Sequence, residues 1–427
     1  MFVNDLEDIL KGQGSNVELE NLSLRMLMFA DDTVVVSESR EGIQKGLDFL
    51  EEYCDNWGIT INVEKTKALV FTRGGRFSKL DTWTYKGNKI ETVTVFKYLG
   101  FHLASSGSFS QGIQERLNSG RRALFGLRKM FNTNSEILPY TKIEMCRTVV
   151  CPVLSYCCEV WGLARADPIE KFYLSFLRSV LHVKTSTPKS FLYGELGVYP
   201  LIIERKIRVV KYWLKLIRPA TEQQTYAHAI YKELYCISQS CPKKITWATL
   251  VRDMLETCGL GHFWYAQFVE NEDAFISLLK QRLSDIFVQE WWQEIDKTSN
   301  NRLYKHIKEH FGYEMYLNMC CQDIRMFLTR VRLSSHSFNV ERGRWGRKKI
   351  EYAERKCRLC ECVEDEYHCL VECPMFSEER KTCLPVSLIR RPSMFEFVKF
   401  MKSNRYEDCV SAAILCKRVM NAYKRKM

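Results

Sequence analysis

Two groups of side chains in this sequence have the types and spacing to do chemistry. The first is Asp31-Asp32 in Phe29-Ala30-Asp31-Asp32, where apolar, β-forming runs at Leu24–Ala30 and Thr33–Ser37 flank the pair and predict a hairpin with the carboxylates at its tip. Adjacent carboxylates repel unless a cation lies between them. Nucleotidyl transfer uses such a pair to hold divalent metals about 3.5–4 Å apart beside the attacking and leaving oxygens. A solvated turn uses the same residue types, so the neighbours must decide. The second group is Cys357-Arg358-Leu359-Cys360 with His368 and Cys373, a C-x2-C-x7-H-x4-C pattern. Three thiolates and one imidazole suit a closed, tetrahedral structural Zn²⁺ site whose binding would organise the segment. Cys362 and Cys369 are substitutes within that ligand set, and buried or free thiols, with Cys383 nearby, are the plain alternative.

The elements that must position these groups read as an α+β layer followed by helices. A helix is predicted from an N-cap at Ser39, with Ile43, Leu47, Leu50, Cys54 and Trp57 on one face and Gly58 ending it. Ile59, Ile61 and Val63 alternate as a strand does, Lys67–Phe71 is an apolar strand, and Lys86-Gly87-Asn88-Lys89 marks a turn. From Ser110 the period changes: Ile113, Leu117, Leu124 and Leu127 form a stripe, with Arg116, Arg121, Arg122, Arg128 and Lys129 outside it. The pattern stays largely helical to about Leu333, broken at Pro139, Pro152, Pro188, Pro200 and Pro219, and a final amphipathic helix carries Phe395, Phe397, Val398, Met401, Ala412, Leu415 and Val419 before Lys424-Arg425-Lys426.

The 427 residues suggest two to four domains at roughly 150 residues each. Lysine and arginine number 63 against 51 acidic residues, a net charge of +12 that favours a polyanionic partner or a positively leaning solvated surface. Met1–Leu22 carries five acidic residues and no apolar run, so the 18 cysteines read as reduced thiols of an intracellular protein plus a metal site, not as a disulfide framework. Met145–Ala164 is the nearest approach to a membrane span, but Arg147 and Glu159 make it a buried helix by pattern.

The order Phe-Ala-Asp-Asp, helix, Trp57-Gly58-Ile59-Thr60-Ile61-Asn62-Val63-Glu64-Lys65-Thr66-Lys67, then Tyr98-Leu99-Gly100-Phe101-His102-Leu103 closely resembles the palm of LINE-type, non-LTR retrotransposon reverse transcriptases. The resemblance implies RNA-directed DNA synthesis with Mg²⁺ held by Asp31 with Asp32, Lys65 near the incoming nucleotide, and Tyr98-Leu99-Gly100 as a primer grip. A turn lysine and a core aromatic are the plain readings of Lys65 and Tyr98. It also places the helix with Arg116, Arg121 and Arg122 as a thumb along the duplex backbone of an RNA and DNA template-primer. The Cys-His cluster resembles the C-terminal zinc knuckle of the same proteins, together with Pro374-Met375-Phe376 and Arg380. The approach to it, Arg342, Arg344, Trp345, Arg347, Lys348 and Lys349, offers phosphate contact and base stacking, or a solvated basic loop. Pro152-Val153-Leu154-Ser155-Tyr156-Cys157-Cys158-Glu159-Val160-Trp161-Gly162 and Gly194-Glu195-Leu196-Gly197-Val198-Tyr199-Pro200 look like recurrent segments of the family with no chemistry of their own, Tyr156 and Trp161 being read as core.

The domain organisation expected is a partial palm at 1–105, a thumb-like helical region at 106–165, a helical linker region at 166–340, the basic segment and knuckle at 341–385, and a C-terminal helix at 386–427. The departure from the family is at the start. Met1-Phe2-Val3-Asn4-Asp5-Leu6 resembles the tail of the motif just before the aspartate pair, and the family's earlier metal-binding aspartate and its fingers have no counterpart. The expectation is a truncated polymerase with little or no activity alone, open to complementation by an upstream fragment. The alternative is a non-catalytic, zinc-containing, nucleic-acid-binding remnant.

Overall fold

The computed structural model describes residues 17–19, 22–74, 76, 78–134, 136–218, 225–297, 302–344 and 349–426. Two compact units form, each discontinuous in sequence: Met1–Asn118, Ser155–Ala166 and Glu204–Lys280 make the first, and Ser119–Leu154, Asp167–Ile203 and Gln281–Met427 the second. These units cut across the five consecutive segments read from the sequence.

In the first unit, nine short strands form four small sheets among the described residues: β1 (Val17–Leu19) with β2 (Leu22–Leu24), β3 (Met26–Phe29) with β4 (Asp32–Val35), β5 (Lys67–Leu69) parallel to β7 (Asn88–Val93) with β6 (Trp83–Tyr85) on its other edge, and β8 (Val95–Tyr98) with β9 (Phe101–Ala104). The predicted first helix is α1 (Arg40–Trp57). The Ser39 hydroxyl accepts from the Gly42 N–H, and Gly58 closes the helix at φ +64. Its Leu47, Leu50 and Tyr53 pack with Met26, Trp83, Tyr85 and Ile90 into one core. Gly46 lets α1 approach the hairpin closely, since a Cβ there would lie 2.9 Å from Val35 Cγ1. Trp57, expected on the buried face, is exposed at the helix end and among the described residues meets only the Tyr53 ring. Ile59, Ile61 and Val63 form no strand; they pack against the α1 core without a ladder, Val63 opening a turn.

Counting helices of eight residues or more, α2 spans Ser110–Thr133, with Ile113, Leu117 and Leu124 buried as the stripe predicts. α3 (Asp167–Leu181), α4 (Lys189–Leu196), α5 (Leu201–Ile217), α6 (Tyr226–Ser240), α7 (Trp247–Thr257), α8 (Glu272–Lys297), α9 (Gln322–Arg332), α10 (Met394–Met401) and α11 (Tyr406–Lys426) follow. In the first unit an aromatic core joins Trp213, Tyr231 and Trp264, with the Trp213 indole N–H donating 2.9 Å to the Tyr231 hydroxyl.

The Met145–Ala164 stretch is not one buried helix. It runs as a π-turn at Cys146–Val150 and a helical turn at Cys151–Leu154, then breaks where Cys157 adopts φ +57 before the turn Cys158–Trp161. No described helix is long and apolar enough to cross a membrane.

The second unit is built on a buried ion network. Arg332, 1% exposed, donates to Glu195 at 2.6 Å, to Glu314 at 2.6 Å and to the Met401 carbonyl at 2.7 Å, while the Tyr316 hydroxyl donates to Glu195 at 2.8 Å. Pairing and hydrogen bonds at every side of this guanidinium make its burial tolerable. The Gly194-Glu195-Leu196-Gly197 run is explained here. A Cβ at residue 194 would strike Trp291 at 2.5 Å, and Gly197, at φ +60, packs against the Tyr313 backbone.

Candidate functional site

The aspartate pair sits at the end of the β3–β4 hairpin, where Met26 pairs with Val35 and Phe29 with Asp32. Asp31 is therefore in the two-residue turn, and Asp32 is the first residue of β4, so the two carboxylates do not share the turn as expected. Ala30 reverses the chain at φ +57, a conformation that disfavours residues with a Cβ by about 1–2 kcal/mol. The inward side chains Met26, Met28 and Val35 are held by the α1 core. That leaves Phe29, Ala30, Asp31 and Asp32 exposed, on a base fixed from below. Among the described residues neither aspartate has a cationic partner. An exposed, unpaired and rigidly based carboxylate pair fits a divalent cation by donor chemistry, although it supplies only one side of a coordination sphere.

Asn62 shapes the turn before Lys65, its side-chain oxygen accepting from the Lys65 N–H at 3.0 Å. This leaves the Lys65 side chain exposed. Tyr98 is half-buried, and its phenol lies above its ordinary pKa, chiefly through desolvation and then through the charge of Asp32. The structure thus brings Tyr98 into the field of Asp32. Between β8 and β9, Leu99 and Gly100 both take positive φ, +44 and +83, and Tyr98 pairs with Phe101. Two consecutive left-handed residues are what a two-residue type I′ hairpin needs.

Tyr156, expected in a core, instead stands at the surface against this turn. Its hydroxyl donates 2.6 Å to the Leu99 carbonyl, and the Arg116 guanidinium lies 5.3 Å from its ring centroid. Trp161 is fully buried as expected and stacks on Phe101 at 6.5 Å. The sequence carries no signal for this role, because the turn that frees Tyr156 is made by Cys157, a residue type with no preference for left-handed backbone. On α2, Arg121 and Arg122 are exposed, the latter donating to the Ser119 hydroxyl at 3.0 Å.

In the second unit, Cys357, Cys360, His368 and Cys373 place one donor atom each within 4.8 Å of one another. Lys356 and Val363 bridge to make a tight turn that carries the first pair, with the Cys357 N–H on the Cys362 carbonyl at 2.8 Å. His368 opens a π-turn, His368–Glu372, and Cys373 follows it with its N–H on the His368 carbonyl at 2.8 Å. Cys373 Sγ is 3.9 Å from the sulfurs of both Cys357 and Cys360, close to the edge of about 3.8 Å for a tetrahedron of 2.3 Å Zn–S bonds. Burial pushes the Cys373 thiol up to about 12, so in the absence of a cation its proton stays. A dication would reverse that and release protons on binding.

Of the two substitutes, Cys362 lies outside the quartet with its sulfur 3.1 Å from His368 Nδ1, and Cys369 is fully buried elsewhere. The cluster is not an appendage. Glu364, beside it, accepts from the Tyr423 hydroxyl at 2.6 Å and the Asn339 N–H at 2.7 Å, and Lys426 donates to the Met375 carbonyl at 2.6 Å. In the basic approach Arg342 and Lys349 are exposed, whereas Arg344 is mostly buried, its guanidinium 3.0 Å from the Glu341 carboxyl group. Trp345, Arg347 and Lys348 lie outside the described residues.

Residues 1–103 match the family described as reverse transcriptase (RNA-dependent DNA polymerase). The chain is 24% identical over 160 residues to the RNA-directed DNA polymerase from mobile element jockey of Drosophila melanogaster, covering 36% of the chain and 17% of that protein. It is 25% identical over 149 residues to the jockey enzyme of Drosophila funebris, covering 34% of the chain and 16% of the relative. To the probable RNA-directed DNA polymerase from transposon X-element of Drosophila melanogaster it is 27% identical over 154 residues, covering 34% of the chain and 16% of that protein. The resemblance to LINE-type, non-LTR reverse transcriptases therefore holds, over a stretch that spans about one sixth of these relatives.

Proposed function

We propose that this chain is a section of a non-LTR retrotransposon RNA-directed DNA polymerase, contributing the aspartate hairpin and the primer-side turn of its palm. The observation that carries the reading is the exposed Asp31-Asp32 pair on a buried-base hairpin, within a stretch that matches the reverse transcriptase family. Mg²⁺ bound there would stabilise charge on the oxygens of an in-line nucleotidyl transfer. Asp31 and Asp32 supply carboxylate ligands from one side. Lys65, exposed on the Asn62 turn, meets the triphosphate of the incoming nucleotide. Tyr98, Leu99 and Gly100 support the primer terminus, and Arg116, Arg121 and Arg122 belong to the helix that follows the template-primer backbone. Cys357, Cys360, His368 and Cys373 hold a structural Zn²⁺, with Arg342, Lys349 and the intervening Trp345, Arg347 and Lys348 contacting phosphates and bases; Arg344 is withdrawn from that role by its pairing with Glu341.

Two measurements test this. In primer extension on an RNA template with Mg²⁺, any synthesis is expected to vanish in Asp31→Ala; synthesis that survives the substitution overturns the assignment. Electron paramagnetic resonance of Mn²⁺ with an RNA–DNA template-primer tests the site without turnover, and a bound-Mn²⁺ signal that is identical in Asp31→Ala also overturns it. A second reading, a zinc-containing nucleic-acid-binding protein without catalysis, is favoured by one observation: the Cys-His quartet closes on itself within the second unit alone. RNA binding that is abolished by Cys373→Ser and unaffected by Asp31→Ala, with no Mn²⁺ at Asp31, supports that reading.

A further inference from the structure

We infer that Tyr156 is a positioning residue for the primer terminus, holding the Tyr98-Leu99-Gly100-Phe101 turn in a backbone conformation that its own sequence disfavours. The inference rests on reading that turn as the primer side of the palm. Two-residue I′ turns ordinarily recruit Asn-Gly or Asp-Gly, because both central residues take positive φ. Here the first is Leu99 at φ +44, and its partly exposed side chain has no local hydrogen bond to offer in exchange. Strain of this kind persists only where the surroundings over-determine it.

The residues packed around the turn supply that constraint. The Tyr156 hydroxyl donates to the Leu99 carbonyl at 2.6 Å, and the edge of its ring closes over Gly100, where a Cβ would meet ring atoms at 3.4–3.6 Å. Tyr156 is itself fixed from two sides. The Trp161 indole N–H donates 3.0 Å to the Tyr156 carbonyl while its ring stacks on Phe101, and Arg116 lies across the Tyr156 ring. The Arg116 Nε is buried with no hydrogen-bond partner among the described residues, and the guanidinium meets this cluster at the Tyr156 ring. All of these residues belong to the first unit. The Leu99 side chain is thereby presented outward from a backbone that cannot relax, as a support for a nucleotide at the end of a strand requires. Leucine stands at 99, where asparagine would form the same turn more readily.

The test uses the full chain and Tyr156→Phe, which removes the hydroxyl and keeps the ring. Amide hydrogen exchange at Phe101, which pairs with Tyr98 across the turn, is expected to quicken about five- to tenfold, the size of one lost hydrogen bond. Adding Leu99→Asn to Tyr156→Phe should restore protection, since asparagine tolerates the left-handed region. Unchanged exchange in Tyr156→Phe, or no recovery in the double variant, overturns the clamp. A DNA primer on an RNA template, with 2-aminopurine at the primer 3′ end, reports the terminus by fluorescence, and anisotropy of the same duplex reports affinity. The expected result is that Tyr156→Phe loses at least half of the terminal response with affinity changed less than about twofold. A full terminal response in the variant overturns the proposal and spares the primer-side reading. A wild-type chain that binds the duplex with no terminal response overturns both.

Discussion

Asp31 and Asp32 stand in the open at the end of a hairpin, whereas Cys357, Cys360, His368 and Cys373 converge on one another under cover of the C-terminal helix. The difference is one of self-sufficiency. The sulfur and imidazole donors come from one stretch of 17 residues and nearly complete a tetrahedron by themselves. The carboxylates offer one face only, and the rest of a coordination sphere must come from substrate, water or residues beyond them. A closed site should report on stability when it is damaged. An open one should report on binding and leave stability alone.

That contrast orders the expected effects. Cys373→Ser, or stripping with a chelator, should take zinc content from about one per chain to near zero and destabilise the second unit by several kcal/mol, given that structural zinc contributes about 10–16 kcal/mol of apparent binding in isolated fingers. Metal analysis and denaturant unfolding would show it, and an unchanged unfolding midpoint would mean that the cluster does not depend on metal. Arg332→Met strands Glu195 without a cation and should cost about 3–5 kcal/mol in urea unfolding. A loss below about 1 kcal/mol would show the network to be dispensable.

A smaller effect is set by pH. Burial holds Glu341 protonated up to about 8 against an ordinary value of 4.5, with Arg344 pulling the other way without cancelling it. Because the folded pKa is the higher one, the contribution is complete below about pH 4.5 and is lost as pH rises through 8. Stability of the second unit should fall by roughly 1–4 kcal/mol across that window, and Glu341→Gln should flatten the slope. Smallest of all, Asp31→Ala should alter thermal stability by no more than about 0.5 kcal/mol, as for other exposed substitutions, even as metal binding at the hairpin is lost. A large loss of stability there would mean that the pair is structural.

Much of this was readable from local rules. The cap at Ser39 and the stop at Gly58 bounded α1, the Lys86-Gly87 turn joined β6 to β7, and the cysteine and histidine spacing named the quartet that closes in space. Local rules failed where tertiary contact decides. Ile59, Ile61 and Val63 alternate but find no neighbouring strand, so they pack without pairing. Trp57 lies one turn beyond the core that its periodicity points to. The Met145–Ala164 run breaks at Cys157, whose left-handed backbone has no sequence signal, and that break frees Tyr156 to reach Leu99. Arg344 belonged by composition to a basic loop, and Glu341 three residues earlier turns it inward.

The interleaving of the two units has a consequence for how the chain is made. The hairpins bearing Asp31 and Leu99 emerge from the ribosome well before α6, α7 and the first turns of α8, as far as Lys280, which finish the unit they belong to. Translation at about 5–20 residues per second leaves those apolar faces waiting for several seconds or more. The second unit is begun at Ser119, long before the first is complete, and it closes only with α11. The growing polypeptide thus carries two half-built cores at once, and the nascent chain is the state in which this protein is most exposed to aggregation and to chaperones.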